Sequence, residues 1–182
     1  MIRVILLAGG KSQRTSGLKQ LYVVEGEYLI NRQIHALQGY SFNVSVVLGY
    51  KAQEIEKVLE HGVGVIVNEA YEKGMFSSVK KALSVLEGDI FLFCHVDRPV
   101  PEYAVFEALL QSKKAIAVAF CKGKKAPPVL IRATVKKDLI ASDLKRLDAW
   151  IESKEEVAYV AVEDMKIHCN ANTDEALKRC FG

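Results

Sequence analysis

The most constraining feature of this sequence is a set of six short runs, most of them apolar at every position: Arg3–Leu7, Val44–Leu48, Val63–Val67, Ile90–Cys94, Ile116–Phe120 and Val157–Val162. A strand with one face in water alternates apolar and polar residues. A run without that alternation fits a strand covered on both faces of a parallel sheet. The intervening stretches Tyr28–Gln38, Ala52–Glu60, Ser77–Leu86 and Glu102–Gln111 carry apolar residues three and four apart, which is the helical period. Leu139–Glu152 and Thr173–Cys180 also read as helices. Alternation of this kind predicts right-handed β-α-β units and an α/β fold, with a mostly parallel sheet and helices on both faces. One break interrupts it, at Lys122–Pro128. There an antiparallel excursion is expected, with Pro128–Ile131 as a short strand. No repeat, low-complexity tract or linker divides the 182 residues, so a single domain over 1–182 is expected.

Charge and cysteine content narrow the function classes. Lys and Arg number 25 against 22 Asp and Glu, a net charge of +3, too small an excess to imply a nucleic-acid surface. Cys94, Cys121, Cys169 and Cys180 are widely spaced and form no Cys-x-x-Cys pair. Neither a disulfide framework nor a zinc site is expected, and a reducing cytoplasm fits. Met1–Leu7 is too short for a signal-peptide core or a membrane span and reads as a buried strand.

In an open parallel sheet, ligands bind beyond the carboxyl ends of the strands. Four features fall there. The first is Leu7-Ala8-Gly9-Gly10-Lys11-Ser12-Gln13-Arg14, continuing to Lys19. Paired glycines permit positive φ and let backbone N–H groups face an anion, while Arg14 and Lys19 put two cations near the same loop. It is not a P-loop, because Ile5 stands where the first glycine is needed, and it lacks the Gly-x-Gly-x-x-Gly of a dinucleotide site. The second is Asp97, after the most apolar run, able to hold Mg²⁺ through oxygen or to cap a turn before Pro99. The third is Asn68 to Ser78, in which Gly74 and two serines can open a helix towards the cleft. The fourth is Asn170-Ala171-Asn172-Thr173, where Thr173 is a good N-cap and the asparagines offer amide oxygens.

Together these segments resemble the nucleotidyltransferases related to the molybdenum-cofactor guanylyl- and cytidylyltransferases. Leu7-Ala8-Gly9-Gly10-x-Ser12-x-Arg14 with Lys19 resembles that family's Leu-Ala-Gly/Ala-Gly-x-Ser-x-Arg-Met-Gly-x-x-Lys signature. Asn68 to Ser78 is similar to its Asn-x-x-x-x-x-Gly-Met-x-x-Ser segment, Asp97-Arg98-Pro99 to its Asp-x-Pro, and Asn170-Ala171-Asn172-Thr173 to its Asn-x-Asn-Thr-Pro-Glu. The resemblance implies a Rossmann-like fold of the nucleotide-diphospho-sugar transferase type. It also implies a Mg²⁺-dependent transfer of NMP from an NTP to a phosphorylated small-molecule acceptor, with molybdopterin the leading candidate. The backbone of Leu7, Ala8, Gly9 and Gly10 would border base and phosphates, joined by Ser12, Asn68, Gly74 and Ser78. Arg14 and Lys19 would bind the triphosphate. Asp97 would hold the metal with Asn172, and Asn170 and Asn172 would face the acceptor.

Ala8–Gly10 with the asparagine pair points to GTP, and Gly74-Met75-x-x-Ser78 to CTP; GTP is slightly favoured. Several positions depart from the signatures. Thr15-Ser16 replaces Met-Gly, and Asp174 replaces the proline after Asn-x-Asn-Thr. Ala126-Pro127-Pro128 replaces Gly-His-Pro, and Ser142–Arg146 lacks the glycines of Gly-Asp-x-Gly-x-Arg. The donor half is thus kept and the acceptor half altered. Other acceptors (a sugar, polyol or cobinamide phosphate), a glycosyltransferase of similar fold, and a non-catalytic nucleotide-binding domain stand as alternatives. No nucleic acid and no membrane partner is expected, and the assembly expected is a monomer or small homo-oligomer.

Overall fold

The computed structural model describes all 182 residues. In chain order the elements are β1 (Ile2–Leu7), β2 (Val23–Val24), β3 (Glu27–Tyr28), α1 (Leu29–Gly39), β4 (Val44–Leu48), α2 (Ala52–Glu56), β5 (Gly64–Val67) and α3 (Met75–Val85). Then follow β6 (Ile90–His95), α4 (Tyr103–Gln111), β7 (Ile116–Cys121), β8 (Lys124–Arg132), α5 (Lys136–Ala141), α6 (Leu147–Glu152), β9 (Val157–Ala161) and α7 (Asp174–Phe181). Seven strands form one sheet in the order β5-β4-β1-β6-β8-β7-β9, all parallel to their neighbours except β8. The expected antiparallel excursion is this strand. It returns from β7 through Lys122 and Gly123, both at positive φ (45° and 80°), the conformation a tight hairpin turn needs.

Alternate residues of the unpatterned strands feed two cores. Val4 and Leu6 of β1 pack with α1 and α4 on one face, while Ile5 and Leu7 pack with α3 and α6 on the other. That two-sided burial is why these runs carry no polar alternation. After β1 the chain adds β4 and β5 on one side, and β6 on the other side of β1. The direction of winding therefore reverses between β1 and β6, and a crevice opens beyond their carboxyl ends.

Three expectations are corrected. The helix expected over Leu139–Glu152 is two helices, α5 and α6, because Ser142 is extended (φ −62°, ψ 136°) and its hydroxyl accepts from Leu144 N at 3.2 Å. Short polar side chains that bind nearby backbone compete with the helix in this way. α2 is shorter than its pattern, ending at Glu56. The cysteines are not all free: Cys169 and Cys180 form a disulfide with their Cα atoms 5.9 Å apart, while Cys94 and Cys121 are buried thiols. Close Cys-x-x-Cys spacing was the wrong criterion, since the turn before α7 brings a partner 11 residues away into reach. The inference from unpaired cysteines to a reducing cytoplasm loses its support here. No helix is long and apolar enough to cross a membrane.

Candidate active site

The crevice between β1 and β6 holds a cavity of about 290 Å³. Its floor is Leu7, Ala8, Gly9 and Gly10, which continue β1 beyond the sheet. Lys19 and Gln20 close one side, the start of α3 (Gly74, Met75, Ser78) another, and His95 to Asp97 the β6 side.

The glycines act through clearance rather than through φ. Neither Gly9 nor Gly10 has positive φ; in this loop Ser12 does, at 54°. A Cβ on Gly9 would meet Gly49 N at 3.3 Å and Ser78 Oγ at 3.4 Å. Gly10 has nothing within 4 Å, so its missing side chain leaves room for a ligand against the backbone. Gly49, which follows β4 beside this loop, is more constrained. A Cβ there would sit 2.5 Å from the Tyr71 Cβ and 2.8 Å from Gly9 O.

Gln20 holds the loop from behind. It is fully buried, and its Nε2 donates to Ala8 O at 2.6 Å and to Gly10 O at 3.2 Å. Its Oε1 accepts from Ser12 Oγ at 3.2 Å, and that same hydroxyl accepts from Lys19 N at 3.1 Å. The Ser12 side chain is thus engaged within the loop. Nothing in the sequence marked Gln20, because a polar residue after Lys19 looks like any solvated turn residue.

Lys19 is the electrostatic centre. Its ammonium donates to Asp97 Oδ2 at 2.8 Å and to Asn172 Oδ1 at 2.9 Å. Residues 19, 97 and 172 are therefore brought to one point by β1's loop, the end of β6 and the segment before α7. Ala171 N donates to Asp97 O at 2.8 Å, fixing that segment against β6. Thr173 caps α7 through Ala176 N at 3.2 Å, as its sequence position suggests. His95, in the cavity wall, has its pKa pushed down to about 4, chiefly by burial, so its imidazole is neutral at pH 7. Arg98 is half-buried and donates to Ile167 O at 2.8 Å; burial lowers its pKa while Asp97 opposes that shift.

Other sequence candidates fall into place differently. Asn68 does not line the cavity. Its buried amide donates to Ser77 Oγ (2.8 Å) and Ser78 Oγ (3.0 Å), setting the Ser78 hydroxyl from behind. Gly74 precedes α3, but neither serine caps it through a side chain. Arg14 is exposed, outside the cavity, with no hydrogen bond or ion pair. Asn170 also lies outside the cavity, with a buried Oδ1 that finds no partner. At the rim, Lys11 pairs with Glu72 at 2.5 Å and stands 5.7 Å from the centre of the Tyr71 ring. Their hydrogen bond, and then the partner's opposite charge, raises the Lys11 pKa and lowers that of Glu72.

Comparison with known families decides the class. The family described as the MobA-like NTP transferase domain matches residues 4–158. The chain belongs to this MobA-like family. It is accordingly a nucleotidyltransferase. Among solved structures of similar fold is Rv0371c from Mycobacterium tuberculosis H37Rv, at TM-score 0.86 and 21% identity, covering 99% of this chain and 96% of that one. The same mycobacterial protein also has a manganese complex, at TM-score 0.80 and 19% identity. A nucleotidyl transferase from Methanothermobacter (Mth528) gives TM-score 0.86 at 18% identity over 100% and 96% of the two chains. Molybdopterin-guanine dinucleotide biosynthesis protein A from Archaeoglobus fulgidus gives 0.75 at 21% identity over 98% and 96%. A search of curated proteins gave no match.

In this MobA-like chain, two departures from the family signature are partners of one another. The carboxylate of Asp174 accepts from Ser16 N at 3.1 and 3.2 Å and from Ser16 Oγ at 3.3 Å. The loop after β1 is tied in this way to the start of α7. A carboxylate–imidazole group, Glu27, His35 and Glu60, stands apart from this cavity. There the two carboxylates take opposite ring nitrogens of His35, at 2.6 and 2.7 Å, as paired ion contacts.

Proposed function

We propose that this MobA-like nucleotidyltransferase moves NMP from a nucleoside triphosphate lying over Ala8–Gly10 to a phosphorylated acceptor, releasing pyrophosphate. The observation that carries this reading is the convergence of Asp97 Oδ2 and Asn172 Oδ1 on one cation, the Lys19 ammonium. A carboxylate and an amide oxygen aimed at one point also form a donor set for a hard divalent cation, so these residues fit Mg²⁺. Bound there, the metal would offset negative charge on the phosphates.

The remaining roles belong to the chain itself. Lys19 exchanges its contact with Asp97 for the triphosphate oxygens, and Arg14, which has no ion-pair partner, supplies a second cation. The loop amides at Gly9 and Gly10 position the donor with little reorganisation. An acceptor phosphate oxygen bonds to the α-phosphorus in line as the bond to the α–β bridging oxygen breaks, and pyrophosphate carries away that electron pair. No protein nucleophile is needed, since positioning and charge neutralisation supply the catalysis. GTP is slightly favoured as donor by Ala8–Gly10 and the asparagine pair, and molybdopterin is the leading acceptor. A sugar, polyol or cobinamide phosphate is the alternative acceptor. Asp97→Ala is expected to abolish metal-dependent pyrophosphate release while leaving the circular-dichroism spectrum unchanged. Unaltered turnover in that variant contradicts the metal assignment.

A further inference from the structure

A second, larger cavity of about 500 Å³ adjoins the first and shares Gly74, Met75 and His95 with it. Its size is that of a small-molecule site. It is built by the bulged hairpin and α6: Val118 and Val129 from β7 and β8, Leu147 and Ile151 from α6, and Phe76 from α3. Ala126 and Pro127, and Lys145 and Arg146, also line it. These segments are where the chain departs from the family's acceptor-side signatures.

The chemistry of this wall is unusual for a site that would take a sugar or polyol. It contains no Ser, Thr, Asn, Gln, Tyr or Trp side chain, hence no hydroxyl or amide to pair with a row of substrate hydroxyls. Its polar side chains are ionic, apart from the uncharged His95, and most are already committed. Lys125 is paired with Glu152, Arg146 lies 3.0 Å from Asp148, and one guanidinium nitrogen of Arg98 is spent on Ile167 O. Lys145 has no ion pair or hydrogen bond, and Arg98 keeps its other nitrogens at the end beside Asp97. The cations of the lining can pair with a phosphate, whereas the buried apolar side chains Phe76, Val118, Val129, Leu147 and Ile151 offer substrate hydroxyls no partner. An apolar ring or chain would gain from the same surface.

We infer that the second cavity takes the acceptor as a phosphomonoester with an apolar body: a ring system or branched hydrocarbon seated on Phe76, Val129, Leu147 and Ile151. Its phosphate points past His95 towards Asp97, with Arg98 and Lys145 as counter-charges. The inference rests on the nucleotidyl-transfer reading for its direction of attack, and it replaces molybdopterin, whose pterin ring is polar, as the acceptor. The attacking phosphate oxygen bonds to the α-phosphorus, and pyrophosphate leaves with the electrons of the broken P–O bond, so no further reactant is required.

The test compares phosphomonoesters of equal charge on the intact protein. Naphthyl phosphate and dimethylallyl phosphate are set against glucose 1-phosphate and glycerol 3-phosphate, first by calorimetric binding without nucleotide. The apolar probes are expected to bind at least about tenfold more tightly. Lys145→Ala, at an exposed position that the fold does not need, is expected to weaken their binding several-fold and leave GTP-induced stabilisation unchanged. Equal or tighter binding of the sugar or glycerol phosphates overturns the inference, as does binding of the apolar probes that ignores Lys145. Pyrophosphate release with GTP and Mg²⁺ is then measured with each probe, and faster release with the polyhydroxylated pair also overturns it. The readouts separate the two proposals. If no nucleoside triphosphate binds, the donor reading fails, while the binding comparison still decides the acceptor class.

Discussion

Gln20 gives the sharpest test of how the donor loop is held. Gln20→Leu keeps the volume and the burial but removes two donors to backbone carbonyls, Ala8 O at 2.6 Å and Gly10 O at 3.2 Å, and the acceptor for Ser12. A net hydrogen bond is worth about 1 kcal/mol, and an orphaned buried partner costs about 1–3 kcal/mol. Ala8 is buried, and Gly10, at the rim, recovers water. The expected loss is therefore about 2–4 kcal/mol, or roughly 5–15 °C in Tm for a chain of this size. Urea denaturation at constant m-value measures it, and triphosphate affinity falls with it as the loop loosens.

Gln20→Glu is the more severe change, because a carboxylate would face two carbonyl oxygens in a buried site. Its folded-state pKa would be raised, so the penalty relative to the native chain grows as pH rises above the unfolded value of about 4.3 and shrinks below it. A leucine variant within about 0.5 kcal/mol of the native chain would refute the reasoning, since that is the range of a surface substitution.

Three further outcomes are expected. Reducing the Cys169–Cys180 bond, or replacing both residues by serine, opens a ring of residues 169–180 and costs about 3 kcal/mol by chain entropy, read as a lower denaturation midpoint. An unchanged midpoint would mean the bond does not constrain the chain. Lys19→Ala weakens triphosphate binding far more than nucleoside binding in calorimetry, and equal losses would contradict its phosphate role. His35 has its pKa raised, first by the hydrogen bond to Glu60 and then by the charges of Glu60 and Glu27. Its stabilisation is therefore fully present below the unfolded value of about 6.5 and lost as pH rises through the higher folded value. The effect is small, because the ring is exposed, and it is salt-screened; His35→Gln flattens that part of the stability–pH curve, and an unchanged slope would count against the pairing.

The sheet was legible in the sequence because burial on both faces leaves an unambiguous mark: Val4 to Leu7, and Val44, Val46, Val47 and Leu48 with Ser45 between them, are apolar for two different cores. The cleft was legible too, since the candidate motifs follow strand ends and Lys19, Asp97 and Asn172 do meet. Three kinds of feature escaped. Gln20 and Gly49 owe their importance to residues away from them in sequence, Gln20 to the carbonyls of Ala8 and Gly10, Gly49 to the Tyr71 side chain and Gly9 O, and no local pattern encodes such contacts. The break at Ser142 depends on a serine hydroxyl competing with a helix whose period otherwise continues. Ser16 and Asp174 each looked like a lapse from the family pattern. Only their hydrogen bonds, across 158 positions of chain, show that one change answers the other.

The claim that a nucleoside triphosphate occupies the crevice over Ala8–Gly10 is tested most directly by melting the protein with GTP, CTP, ATP and UTP in turn, each with Mg²⁺. A ligand at a hundred times its Kd adds about 2.7 kcal/mol to the native state, a rise of roughly 5–10 °C here. The account predicts that rise for at least one triphosphate, largest with GTP, and its loss in Lys19→Ala. The same melting temperature with all four nucleotides and with none would contradict it.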